Sequence, residues 1–543
     1  MRTWFTHFLV AAAAVTVLNG AGQKFYRDDP IWRDPETEDA SGIKRIRISQ
    51  QYDFIENTFL DAGDEDARRA VNINTVDEVP DSSWFTNRIG RERWSVERFV
   101  RGPDTGTGPV PGPWTVTEAK SEGITPGLTI KDQAGETYFI KFDPPSNPEM
   151  ASGAEVISTK FFHAFGYHTP ENYLAVLDPA MLTIQPGTPI EEEGGVISTM
   201  KPRHIQELLK KAARNADGRY RVIASRAIPW PPVGKFRYYG TRPDDPNDIH
   251  PHEHRRELRG LSVFAAWLNH DDSRSVNTHD VLVKDAGRAF VRHYLLDFGS
   301  TLGSGSTQAQ TSRAGNEFIW EARPTLITML TLGFYVRPWV KVRYPDIPAV
   351  GRFESTYYRP ENWKPEYPNP AFRNARPEDR FWAARIIAQI PDEAVGAVVA
   401  AARFSDPRAT EYMTETILSR KAKVLMTWLN GTNPVVNVSM DAAGRLSFQN
   451  IAEDVGMAKA PEKYTVAWSR FDNPTSTHTP VGSEQSVTVR LAQAPTELLS
   501  EDFVSATIRA FHPDHAAWQH PVVVYFRRAP DATWTLVGLE RNP

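Results

Sequence analysis

The stretch Leu268–Val283, LNHDDSRSVNTHDVLV, and the closely following Arg292–Ser300, RHYLLDFGS, place an Asp, an Asn and a second Asp in order: Asp272, Asn277 and Asp297. Asp272 and Asn277 fall in a run without hydrophobic periodicity. Asp297 ends a short apolar run and stands directly before Phe298-Gly299. Taken singly, these are ordinary turn residues, because Asx side chains hydrogen-bond nearby backbone and Asp-Phe-Gly is a common strand-to-turn ending. The information lies in what surrounds them.

Working outward, periodicity predicts a helix from about Glu253 to Asn269 before the stretch, and strands at DVLV (280–283) and AFVRHYLL (289–296) after Asn277. Far upstream, WTVTEAK (114–120) and LTIKDQAGETYFIKFD (128–143) alternate apolar and polar residues around a turn at Asp132–Gly135, which predicts three strands in series. Lys141 lies near the end of the third. The next run, GAEVISTKFFHAFGYHTPE (153–171), spaces Ile157, Phe161 and Phe165 as one face of a helix, stopped by Gly166 and Pro170. Glu155 lies on that helix. As an isolated pair, Lys141 and Glu155 would be a surface ion pair worth roughly 0–1 kcal/mol.

Strand-borne Lys141, helix-borne Glu155, then Asp272, Asn277 and Asp297 resemble, in order and setting, the protein-kinase-like superfamily, in particular its atypical branches: HipA-type kinases, phosphatidylinositol kinases, and spore-coat and secretory-pathway kinases. YFIKFD, GAEVISTKFFHAFGYHTPE, HDDSRSVN and LLDFG carry the resemblance, which spans roughly Trp114 to Trp428. It implies an α+β, bilobal kinase-like domain with a β-rich N-lobe and a helical C-lobe. It further implies that Lys141 holds the ATP phosphates and pairs with Glu155, that Asp272 orients the acceptor hydroxyl, that Arg274 faces the γ-phosphate, and that Asn277 and Asp297 hold Mg²⁺, with Mn²⁺ as the other candidate ion. The acceptor class, whether protein, lipid or small molecule, is not legible. Three departures stand out: His270-Asp271-Asp272 replaces His-Arg-Asp and leaves two candidate bases, KSEGITPG (120–127) offers only two glycines where a Gly-rich loop belongs, and no activation-segment end signature is visible. A non-catalytic pseudokinase or an envelope-binding protein is the alternative reading.

The chain has 543 residues, 40% of them hydrophobic, enough for more than one core. A formal net charge of −5 gives no general pull toward nucleic acid, and none is expected as a partner. The absence of cysteine excludes disulfides, thiolate metal sites and Cys nucleophiles. Arg2, the apolar run Phe8–Leu18 and the small residues Gly20–Gly22 read as a signal peptide over 1–22, which predicts a periplasmic or secreted protein; an uncleaved anchor is the other outcome. Even the later run LITMLTLGFYV (326–336) ends at Arg337, short of the about 20 apolar residues that span a bilayer.

The remaining organisation follows from composition. Residues 23–101 read as a wrapping segment, within which Asp81-Ser82-Ser83 caps a helix or closes a turn, and RGPDTGTGPVPGPW (101–114) reads as a linker. The kinase-like region is expected over 114–429, with lobes at about 114–230 and 250–429. Six alternating runs in 435–543 predict a small β-sandwich-like module, a surface for envelope contact. HPHEH (250–254) reads as a solvated polar loop, and the Gly/Ser-rich run after Gly299, including GSGST (303–307), as a mobile segment.

Overall fold

The computed structural model describes residues 22–66, 68–119, 127–191, 197–285 and 287–541. The signal-peptide reading (1–22) therefore lies outside the described residues up to position 21, as does KSEGITPG up to position 126. Among the described residues the chain is a mixed α+β structure with eleven α-helices and five sheets.

The N-terminal segment wraps around later elements. It carries α1 (Gln50–Phe59) and α2 (Val96–Arg101), whose first turn is capped by Ser95 Oγ accepting from Arg98 N. Phe25 is buried against Phe471 and Tyr525 near the far end of the chain, and Phe85 packs on Tyr167 and Trp382. Asp81-Ser82-Ser83 closes a turn: Ser82 N donates to Phe85 O, and Asp81 Oδ1 accepts from Asn87 N. Residues 101–114 do not form a free linker. Gly106 N donates to Tyr173 Oη at 3.1 Å and Val110 N to Asp132 Oδ2 at 2.9 Å, so this Pro/Gly run is strapped along the next sheet by its backbone.

That sheet is built from β1 (Trp114–Ala119), β2 (Gly127–Lys131) and β3 (Thr137–Phe142) in series, as alternation predicts. The helix α3 (Met150–Phe165) follows, then β4 (Asn172–Leu177) and β5 (Leu182–Ile184), a separate pair β6 (Pro189–Glu191) and β7 (Ile197–Thr199), helix α4 (Pro202–Leu209), and β8 (Tyr220–Arg226). The strand order is β4-β8-β3-β2-β1-β5. Tyr138, Ile140 and Phe142 of β3 point into a core shared with Ile205 and Leu209 of α4. By period-two alternation Lys141 then emerges on the opposite face, toward α3. Asp143, just past β3, accepts from Ser152 N at 2.8 Å and supplies the first turn of α3 with a partner that its own N-cap does not.

After β9 (Pro232–Gly234), helix α5 (Arg256–Leu268) leads into the loop that carries Asp272 and Asn277, and β10 (Thr278–Asp285) and β11 (Arg288–Leu295) form a hairpin beside β9. The long region that follows carries α6 (Ala322–Leu330), α7 (Pro370–Arg373), α8 (Pro377–Ala388), α9 (Asp392–Ala400) and α10 (Pro407–Trp428). Met413, Ile417 and Val424 of α10 are buried together, as their spacing predicts. The core around α3, α5, α8 and α10 continues without a break into the C-terminal sheets.

The C-terminal part holds nine strands where six were legible: β12 (Val435–Met440), β13 (Arg445–Asn450), then after the short α11 (Ile451–Asp454) β14 (Lys463–Asp472), β15 (Thr477–Pro480), β16 (Gln485–Val487), β17 (Leu491–Gln493), β18 (Phe503–Phe511), β19 (Val522–Arg528) and β20 (Trp534–Arg541). They make one sheet β12-β13-β17 and another β15-β14-β18-β19-β20, with β16 also on β14. The run SVTVRLA splits between the two sheets. β15 is exposed at every position and has no apolar residue, so no hydrophobic pattern marks it.

Two further expectations are corrected. HPHEH is not a solvated loop: His252, Glu253 and His254 are buried, with His252 Nε2 on Asp248 Oδ2 at 2.7 Å and His254 Nε2 on Asp64 Oδ2 at 3.3 Å. Charges brought by the wrapping segment and its neighbours make that burial tolerable. The run after Gly299 is packed as well, since Thr301, Leu302 and Ser304 are buried and Arg352 N donates to Gly303 O at 2.9 Å. Gly303 has φ +78°, and a Cβ there would lie 2.3 Å from Arg352 backbone, so glycine serves close approach of two chains rather than mobility.

Candidate active site

The hairpin explains the spacing of Asn277 and Asp297. Thr278 pairs with Leu295 at its open end, and Leu296 N donates to Asn277 O at 2.9 Å, so Asn277 and Asp297 flank one end of a ladder despite their separation in sequence. Asp297 adopts a left-handed conformation (φ 62°, ψ 49°), which Asp tolerates better than most residues and which turns the chain out of β11.

Three of the sequence-predicted residues meet directly. Lys141 Nζ donates to Glu155 Oε2 at 3.1 Å and to Asp297 Oδ1 at 3.0 Å. Burial works against the lysine charge, but Asp297 and Glu155 outweigh it and hold the ammonium above the ordinary lysine pKa. Glu155 is only 2% exposed. Its Oε2 also accepts from Gly299 N at 2.8 Å, and its Oε1 from Asn172 Nδ2 at 3.1 Å. One buried carboxylate thus ties β3, β4 and the Asp-Phe-Gly turn together, and it is no surface pair. Gly299 is required there, because a Cβ would stand 2.9 Å from Glu155 Oε2. Phe298 completes the anchor: fully buried, it stacks on Phe162 of α3 at 4.8 Å and meets His270 at 5.8 Å. Burial pushes His270 down to about 4, so this ring is neutral at physiological pH and acts as packing.

The second group lies on the loop after α5, which ends at Asn269 in the left-handed region. Asp271 is buried and accepts from Gln310 Nε2 at 2.5 Å, and burial, with Asp272 and Glu366 nearby, pushes its pKa well up. Asp272 is held differently. Arg274 Nε lies against its Oδ1, and Asn277 Nδ2 donates to its backbone carbonyl at 2.9 Å. Burial raises its carboxyl to about 7, Glu366 and Asp297 adding to the rise and Arg274 opposing it without prevailing. Arg274 also reaches Glu366 Oε2 at 2.6 Å, so its guanidinium is clamped between two carboxylates rather than extended into open space. Asp297 adds to the rise at Asp272, so the two groups influence each other through charge.

Sequence reasoning missed Glu366, Gln310 and Asn172. Glu366 pairs with Arg274 from 92 residues away, and its backbone N donates to Asp271 O at 2.7 Å. No spacing rule links such positions; they converge only through packing. Among the described residues no group of three or more His, Cys, Asp and Glu side chains is arranged to hold a metal ion. Asp297 and Asn277 nevertheless fit a Mg²⁺ that keeps most of its coordination as water and phosphate, since both bring oxygen donors and Asp297 already faces a cation.

The raised carboxyl of Asp272 gives a pH prediction of definite sign. A folded pKa above the unfolded one means that the folded chain holds this proton more tightly. Its contribution to stability is full below about pH 4 and is lost as pH rises through about 7, at most roughly 4 kcal/mol over the whole range. Denaturant midpoints measured across that range should fall less steeply with pH in Asp272→Asn than in the wild type; equal slopes would assign the ionisation elsewhere.

No family model, curated protein or solved structure matches this chain.

Proposed function

We propose that the chain is an exported atypical kinase that transfers the γ-phosphate of ATP to a hydroxyl acceptor. The observation that carries this reading is the Lys141 ammonium shared by Glu155 and Asp297, with Glu155 also accepting from Gly299 N. That arrangement supports a bilobal reading, in which the six-stranded sheet with α3 forms one lobe and the helices after α5 the other. Lys141 would anchor phosphate oxygens, and Asn277 and Asp297 would hold Mg²⁺, which supplies charge neutralisation at the transferred group. Asp272, poised near neutral pH by burial, is suited to accept or orient a hydroxyl proton.

One observation favours a second reading, a pseudokinase. Arg274 is engaged by Asp272 and Glu366, and Asp297 by Lys141, so the side chains assigned to γ-phosphate and metal already have ion-pair partners within the protein. Thermal unfolding with Mg-ATP and transfer of labelled phosphate separate the outcomes. At a hundredfold excess over Kd, binding should add about 2.7 kcal/mol of stability. A shift with labelled product supports the kinase, a shift without transfer the pseudokinase, and no shift removes both.

A further inference from the structure

From Ala322 to Asp346 no residue is buried, although the segment contains an apolar run and a nine-residue helix, α6. Leu330, Leu332 and Phe334 are 75%, 85% and 87% exposed. A helix with no buried residue has little of the tertiary support that normally maintains short helices. The threonines of this helix hide their polarity: Thr325, Thr328 and Thr331 each donate a hydroxyl proton to the carbonyl four residues earlier. Gly333, at φ +83°, then turns the chain so that Phe334, Tyr335 and Val336 follow as an exposed apolar tip. The charge is predominantly positive, for Arg323, Arg337, Lys341 and Arg343 stand in the segment against the single acidic Asp346 at its end. At its root the excursion is fixed, with Arg337 Nε on Glu317 Oε1 at 2.5 Å, Trp339 Nε1 donating to the same oxygen at 3.0 Å, and Ile319 N donating to Glu366 O at 2.7 Å.

We infer that residues 322–343 dock on an anionic lipid surface, with the Leu330–Val336 tip entering the headgroup region and the cations meeting lipid phosphates. Exposed apolar side chains beside cations match an interfacial element. The run is too short to span a bilayer, which takes about 20 apolar residues. A second copy fits worse, because a two-fold contact would set cations against the same cations. Since Glu366 N in turn donates to Asp271 O at 2.7 Å, docking here would hold the candidate site near the membrane surface. The inference does not rest on phosphoryl transfer.

The test is flotation of the full chain with phosphatidylcholine vesicles, with and without phosphatidylglycerol. The wild type should float only with the anionic vesicles and be released by salt. Leu332→Asp with Phe334→Asp should weaken binding at least about tenfold, and each of Arg323→Glu, Lys341→Glu and Arg343→Glu at least about fivefold, all with wild-type melting because these side chains are exposed. The apolar run Phe8–Leu18 is common to every variant, so only the difference between variants reports on this segment. Equal flotation of the wild type and the double Asp variant would overturn the inference. So would wild-type self-association in the absence of lipid that the double Asp variant abolishes.

Discussion

Asp297→Asn is expected to lower the proposed phosphoryl transfer at least about a hundredfold, equivalent to ~2.7 kcal/mol of transition-state stabilisation, while the fold survives. Asn adopts the left-handed conformation of this position as readily as Asp, and Lys141 keeps its contact with Glu155, so only a charge at the centre of the site is removed. Lys141→Ala should behave differently. It removes the proposed phosphate anchor and leaves the buried Glu155 with Gly299 N and Asn172 as its remaining partners. Nucleotide affinity and stability should then fall together with transfer. Initial rates with labelled ATP, Mg-ATP titration and melting of both variants check the contrast. Wild-type transfer by Asp297→Asn would end the metal-holding role assigned to it.

The largest stability effect is expected at Asp77→Asn, at a site remote from the chemistry. Asp77 belongs to the wrapping segment, yet its Oδ1 accepts from Arg256 of α5 and from Arg69, each at 2.7 Å, and its Oδ2 lies 3.4 Å from Arg541 of β20. Burial alone would raise its pKa, but the three arginines together hold it down at about 2. Arg256 has no exposed surface, and its other carboxylate partner, Asp379, has none either. Removing one charge from such a buried network leaves arginines uncompensated, at a cost of about 3–5 kcal/mol. A lower denaturant midpoint, and faster proteolytic release of the β-rich C-terminal part, should report the loss. The exposed Asp531→Asn should change neither. A native midpoint in Asp77→Asn would show that the cluster joins the segment, α5 and β20 without stabilising them.

How much was legible in advance differs from element to element. β1 to β3, α3 and the β10–β11 hairpin were readable because apolar periodicity changes between two and 3.6 at Gly and Pro punctuation. Lys141, Glu155, Asn277 and Asp297 were singled out by the family resemblance, which those elements made visible by giving each residue its place on or next to a strand or helix. β13 and β15 were not: β15 has no apolar pattern and becomes a strand by pairing to β14, and the alternation of β13 is confined to Leu446 and Phe448. The Pro/Gly run at 101–114, the HPHEH histidines and the Gly/Ser run after Gly299 were misread together, since composition reports what a segment prefers in water and not what later packs over it.

By itself, then, the sequence determined the α+β class, the order of the candidate site residues and the absence of any thiol chemistry, because these depend on local patterning and on residue identity. Only the tertiary structure decided that Glu155 is a buried three-way junction, that Glu366 clamps Arg274 and helps raise Asp272, that Asp77 joins both ends of the chain through α5, and that no residue of 322–346 is buried. Those properties are sums of burial and charge over groups far apart in sequence, and both interactions depend on distance in space, which a one-dimensional pattern does not encode.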